Sequence, residues 1–261
     1  MNLTDIAKRT LPVPLRDFVG VYGIRAISSS KVLMSLFSRI ADGRPLDVET
    51  MPGRLCFRKV YGRGIICPRD GFRVFHEIFD SKPYEKYGGP ENGDVVLDLG
   101  AYVGMFSYRA HHLVGDDGFV VAVEPEKSNY RILETNLSGI NGIATVNKAA
   151  GSRNGEASLD VSPKSTCHKV SETGNVAVQM TTVDNLVHQL GITHVDFIKI
   201  DVEGAEIDAL NGAVRTLRDN DVRLAIETYH DPSSAEDIAV LLSALGYDSI
   251  IEEEYMYARK R

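Results

Sequence analysis

From Asp94 onward the chain alternates in blocks, an apolar run followed by a stretch with helical periodicity. Val95-Val96-Leu97-Asp98-Leu99 is apolar except for Asp98 and stops at Gly100. A helical pattern follows to Leu113, then an apolar run at Phe119–Val123 and a helix over Lys127–Leu137. Ile143–Val146 reads as a weaker third strand and 195–200 as a fourth, with a helix over 205–217 behind it. Residues 222–226 make a fifth strand, 233–245 a helix and 248–251 a sixth strand. Strands without polar alternation need cover on both faces of their sheet. Strand–helix alternation with right-handed crossovers makes that sheet parallel. The pattern predicts an α/β fold, doubly wound around a mostly parallel sheet.

The first ninety residues lack this rhythm and read as an extension, 1–90, ahead of a main domain, 91–261. Val32, Leu33, Leu36, Phe37 and Ile40 have helical spacing, and Asp42-Gly43 suits the closing turn of that helix. Residues 54–61 and 65–67 read as a hairpin around Gly62 and Gly64. Residues 74–79 are apolar and 82–93 rich in turn formers. A substrate or dimer role is the expectation for the extension. Residues 151–194 interrupt the alternation as an insertion, with 156–161 and 176–182 as a hairpin-like pair and 183–190 as a short helix. An insertion this long in a compact domain usually has a function of its own.

Composition narrows the class. Of 261 residues, 43% are hydrophobic and 25% charged, ordinary for a globular chain with a core. The 29 basic and 36 acidic side chains leave a net charge of −7, which argues against nucleic acid as partner. Cys56, Cys67 and Cys167 form neither a zinc pattern nor an even framework, so reduced thiols and a cytoplasmic location are expected. No run approaches the ~20 apolar residues that span a bilayer.

The turn after the first strand carries the most chemistry. Gly100 and Gly104 flank Ala101, Tyr102 and Val103 between a buried strand and a helix whose N-terminus suits an anionic group. A dinucleotide-binding turn wants G-x-G-x-x-G. Here Tyr102 stands at its second glycine, and Asp98 puts a negative charge where a pyrophosphate would lie. An anionic strand end suits a cationic ammonium and sulfonium, as in S-adenosylmethionine. The second strand ends at Glu124-Pro125, where an acidic residue accepts hydrogen bonds from ribose hydroxyls in doubly wound folds. Two plainer readings stand beside this one. The glycines would serve only strand–helix packing, and Glu124 only the start of the next helix.

The fourth strand runs Phe197-Ile198-Lys199-Ile200 into Asp201-Val202-Glu203-Gly204-Ala205-Glu206. Ligands of open parallel sheets bind beyond the carboxyl ends of strands, where strand order reverses, so Asp201 is a candidate catalytic residue. A buried lysine needs a partner, and Glu227 at the end of the fifth strand is the expected one for Lys199. His230, shortly after it, is either a surface histidine or close enough to reach a substrate hydroxyl. Glu206 reads as a helix-dipole partner in the first turn.

DLGAYVGMFS (98–107), VEPEKSNYRILETNL (123–137), FIKIDVEGAEIDALNGA (197–213) and IETYHD (226–231) together resemble the FkbM-type methyltransferases, KIDVEGAE being the specific part. The weaker stretch 74–87 resembles the segment before their first motif. The resemblance spans about residues 66–250. It implies a Rossmann-like class I methyltransferase fold that binds S-adenosylmethionine through Asp98, Gly100, Ala101, Tyr102, Gly104, Glu124 and Pro125. It also implies O-methylation, often of sugar or secondary-metabolite hydroxyls. Tyr102 departs from the family, which usually has a smaller polar residue there. Only residues 255–261 remain for the final antiparallel strand of such sheets, so a short or frayed strand is expected.

The implied reaction transfers an activated methyl group in line to an oxygen, with Asp201 or His230 as base and Lys199 and Glu227 beside them. In a metal-assisted variant Asp201, Glu203 and Glu227 would hold Mg²⁺, although Lys199 counts against a second cation there. A nicotinamide-dependent oxidoreductase and a non-catalytic cofactor-binding protein are the rival classes. The expected partner is a small molecule with a hydroxyl.

Overall fold

The computed structural model describes residues 47–162, 164–166, 168–170, 174–228 and 234–261. The chain divides after Lys82 into two units, Met1–Lys82 and Pro83–Arg261, so residues 83–90 belong with the second. The helix expected around Val32–Ile40, with its closing turn at Asp42-Gly43, lies outside the described residues.

In the first unit β1 (Asp47–Met51), β2 (Arg54–Val60) and β3 (Arg63–Pro68) form an antiparallel sheet in that order. The predicted hairpin is β2–β3. Its turn residues Tyr61 and Gly62 have φ of 45° and 84°, and two positive values in a two-residue loop match the right-handed twist of paired strands. Helix α1 (Phe72–His76) follows, and Phe75 stacks on Phe57 with ring centroids 3.8 Å apart.

The second unit contains β4 (Val95–Leu99), α2 (Met105–Val114), β5 (Phe119–Val123), α3 (Lys127–Leu137) and β6 (Ile143–Val146). Then come β7 (Ala149–Ala150), β8 (Gly155–Val161), β9 (His168–Val170), β10 (Val176–Thr181) and α4 (Val183–Gln189). The remainder is β11 (Phe197–Ile200), α5 (Glu206–Asn211), α6 (Val214–Asp219), β12 (Arg223–Glu227), α7 (Ser234–Ala244), β13 (Tyr247–Glu252) and β14 (Tyr255–Lys260). Seven strands make one sheet in the order β13-β14-β12-β11-β4-β5-β6. The five from β12 to β6 are parallel, and β14 runs antiparallel to both its neighbours. Every residue of β4 and β11 is buried, as cover on both faces requires.

Two elements differ from expectation. The last strand is neither short nor frayed. β14 has six residues between β12 and β13, with Met256, Tyr257 and Ala258 buried. The helix expected over 205–217 is two helices broken at Gly212-Ala213. There the Gly212 carbonyl accepts the Asp184 N–H at 2.9 Å, and the Asp184 carboxylate accepts the N–H groups of Arg215 and Thr216 at 3.1 and 2.8 Å. One side chain from α4 thus satisfies the open N–H groups that begin α6, and a Cβ on Gly212 would stand 2.1 Å from the Gly151 carbonyl oxygen.

Three strands of the insertion, β8, β9 and β10, form a small sheet with β7 just ahead of it, in the order β7-β10-β8-β9. The expected pair is β8 and β10, antiparallel from Val176 opposite Leu159 to Met180 opposite Gly155. Among the described residues, no helix is long and apolar enough to cross a membrane.

Candidate active site

Strand order reverses between β4 and β11, so the carboxyl ends of β11, β4 and β5 line the position where such sheets bind ligands. Parallel register sets Lys199 on β11 directly beside Asp98 on β4. Both lie inside the sheet, and Asp98 is wholly buried. The Lys199 ammonium donates to the Gly100 carbonyl at 2.7 Å and stands 3.2 Å from Asp98 Oδ1 and 3.4 Å from Asp201 Oδ2. Burial alone would lower the lysine pKa; the charges of Asp98 and Asp201 outweigh it and raise the value, so the side chain stays an ammonium. Asp98 Oδ2 accepts from the Ser107 hydroxyl at 2.5 Å. Its Oδ1 is buried with no donor well aligned on it, the ammonium acting there as a charge.

Lys199 therefore takes Asp98 and Asp201 as its direct partners, in place of the Glu227 expected from sequence. The cause is register, because the residue opposite Lys199 on β12 is Ala225 and Glu227 lies two positions further along. Glu227 is buried and acts on the lysine only as the smallest of the charges favouring the ammonium. Asp98 is held by Lys199 and Ser107.

The turn from β4 to α2 is fastened from within. Gly100 and Ala101 donate to the Val123 carbonyl at 3.0 and 2.9 Å, and Gly104 donates to Ala101 at 2.8 Å. Gly100 has a φ of 77°, and a Cβ there would lie 1.7 Å from the Asp201 carbonyl oxygen. Its missing side chain makes room for the β11–α5 loop. A Cβ on Gly104 would meet Leu137 and Leu133 of α3 at 3.0–3.4 Å, which is helix packing. Tyr102 takes a φ of 52°, uncommon for a bulky residue and characteristic of functional loops.

Glu124, at the carboxyl end of β5, accepts the Tyr102 N–H on Oε2 and the Glu126 N–H on Oε1, each at 2.9 Å. The N-cap of α3 is Glu126, whose side chain accepts the Asn129 N–H, and Glu124 holds the N–H of that cap residue, so it also serves the start of the helix. Asn147 holds the backbone here by donating to the carbonyls of Glu124 and Pro125. Burial pushes the Glu124 carboxyl up to about 8, against the opposing effect of the two N–H groups. An ionised carboxylate has about four acceptor positions. Two are filled, leaving one on each oxygen, which is the pattern a vicinal diol such as a ribose satisfies.

Asp201 keeps about a quarter of its side chain exposed, at 26%. Its Oδ2 also accepts, at 3.4 Å, from Tyr84, whose ring lies 5.4 Å from the Lys199 ammonium and packs edge-on against Phe106 and Tyr255. Sequence reading missed Tyr84. Its one signal was the upstream stretch 74–87, and nothing in that stretch singles out one aromatic. Glu206 lies in the first turn of α5 as expected, and there its Oε1 accepts the Gly204 N–H at 2.9 Å. His230 lies outside the described residues. Among the described residues, Asp201, Glu203 and Glu227 do not gather into a group that could hold a metal.

A seven-stranded sheet with one antiparallel strand next to its edge and an acidic residue at the second strand end defines the class I methyltransferase architecture. Residues 98–249 match the model of the methyltransferase FkbM domain, more than half of the chain, and this chain belongs to that family. Membership implies S-adenosylmethionine as the methyl donor and removes the nicotinamide-dependent rival. The chain is also similar to the hexuronic acid methyltransferase AglP of Haloferax volcanii, 25% identical over 179 residues that cover 66% of this chain and 72% of that one. The crystal structure of methyltransferase FkbM from Methylobacillus flagellatus KT superposes with a TM-score of 0.50 at 20% identity over 64% of this chain. The chain spans 43% of the length of that solved relative.

Proposed function

We propose that this protein is an O-methyltransferase that transfers the methyl group of S-adenosylmethionine to a hydroxyl of a sugar-containing small molecule. The observation that carries the reading is Asp201, a partly exposed carboxylate at the carboxyl end of β11. It is pinned through one oxygen by Lys199 and Tyr84 beside the glycine turn. The similarity to a hexuronic acid methyltransferase supports a sugar acceptor.

Glu124 would hold the ribose of the donor, and the turn from Gly100 to Gly104 would bound the rest of it. S-adenosylmethionine supplies a methyl group made reactive by its sulfonium. The protein has to orient an acceptor oxygen in line with that methyl group, keep water away, and remove a proton from a weakly nucleophilic alcohol. Orientation contributes up to ~7–11 kcal/mol in such reactions, and a positioned base typically ~10²–10⁴-fold in rate. Asp201 is the proposed base, and the Lys199 ammonium steadies the carboxylate.

The test offers a methyl glucuronide and the matching neutral glucoside with S-adenosylmethionine, and follows release of S-adenosylhomocysteine. Nuclear magnetic resonance then locates the new methyl group. An ether methyl on a ring hydroxyl supports the reading. An ester methyl on the carboxylate refutes the hydroxyl assignment, and donor binding without turnover of either sugar favours the non-catalytic rival. Full activity in both Asp201→Asn and His230→Ala would remove the base assignment.

A further inference from the structure

The Glu124 carboxylate sits within a closed circuit of hydrogen bonds. Tyr102 donates its N–H to Glu124 Oε2 at 2.9 Å, and Glu124 Oε1 accepts the Glu126 N–H at 2.9 Å. The Glu126 side chain accepts the Asn129 N–H at 2.7 Å, and the Asn129 amide donates to the Ser165 carbonyl at 2.8 Å. The Ser165 hydroxyl meets the Tyr102 phenol at 2.6 Å and closes the ring.

Four of the five members come from the glycine turn, the end of β5 and the start of α3, the parts that build the donor crevice. Ser165 alone comes from the insertion, between β8 and β9. Tyr102 belongs to both halves. Its N–H orients the carboxylate while its phenol holds the insertion, and its backbone takes a left-handed conformation in doing so. A small polar residue at position 102 would keep the N–H contact and lose the reach to Ser165.

We infer that Ser165 is a positioning residue for cofactor exchange: it latches the insertion across the nucleoside end of the crevice, and this latch opens when the donor enters and when the product leaves. The inference rests on the reading of Glu124 as the ribose-binding carboxylate. A latch closed before the donor enters has to open first, and only the open fraction is competent. Because it closes again over a bound nucleoside, it also slows departure.

Both rates of S-adenosylhomocysteine binding to the full-length protein, read by surface plasmon resonance, test this. Ser165→Ala and Tyr102→Phe are each expected to raise the association and the dissociation rate about fivefold. The dissociation constant then shifts less than twofold to threefold. Because they break the same contact, the double variant is expected to match either single one. Ser165→Thr, which keeps the hydroxyl, is expected to restore wild-type rates. Unchanged rates in Ser165→Ala overturn the inference, and so does a rise in dissociation alone, which is the mark of a ligand contact without a latch. Additive effects overturn it as well. If the wild-type protein does not bind S-adenosylhomocysteine, the cofactor reading itself fails, whereas a wild type that binds with unaltered variants removes the latch only.

Discussion

The two acidic strand ends of the site are held by opposite means. Glu124 at the end of β5 accepts two neutral backbone donors, with no cation in direct contact among the described residues, and burial pushes its carboxyl up to about 8. Asp98 and Asp201 on the other side share one cation inside the fold, the Lys199 ammonium. The first arrangement leaves acceptor positions and a proton equilibrium open to a ligand. The second fixes a charge distribution before any ligand arrives. A binding carboxylate benefits from unmet hydrogen-bonding capacity, while a carboxylate beside the reacting centre benefits from being immobile.

The contrast can be broken from either side. The largest effect is expected from Asp201→Asn, which should lower kcat by ~10²–10⁴ while calorimetric affinity for S-adenosylhomocysteine stays within a few-fold. A matching loss of affinity would put Asp201 in the binding half. Lys199→Met strands the buried Asp98 charge, and removing one partner of a buried pair costs about 3–5 kcal/mol. Urea denaturation should show a loss of that size, and a loss below about 1 kcal/mol would mean Asp98 is solvated.

On the proposed reading Glu124→Ala removes two hydrogen bonds to the ribose, each worth about 1.5–3 kcal/mol when made to a charged group. Competing solvation reduces the net, so a ten- to hundredfold weaker S-adenosylhomocysteine affinity is expected.

The smallest effect is the pH dependence. Hydroxyl donors favour the ionised carboxylate, so binding releases a proton from Glu124 below about 8. Affinity should then rise up to about tenfold from pH 7 to pH 9, with proton release measured by calorimetry in two buffers. In the ligand-free protein the sign reverses. The native state keeps a proton that the unfolded chain loses above about 4.5, so this group's contribution to stability is present in acid and is lost as pH rises through about 8. The Glu124→Ala variant should lack both dependences.

Much of this architecture was legible before any coordinates. Block alternation and hydrophobic runs identify the parallel strands, because a strand buried on both faces has few residue types available to it. The order of Asp98, Gly100, Gly104, Glu124 and Asp201 along the chain was enough to suggest the donor class, since those residues follow strands whose ends the topology gathers. Tertiary structure alone decided the partners. Whether Lys199 meets Glu227 or Asp98 depends on strand register. The loop that Gly100 admits depends on how β11 turns, and the ring through Ser165 joins residues 36 positions or more apart. Such contacts have no local signal, because side-chain charge and size are written at each position while the neighbour across the sheet is not.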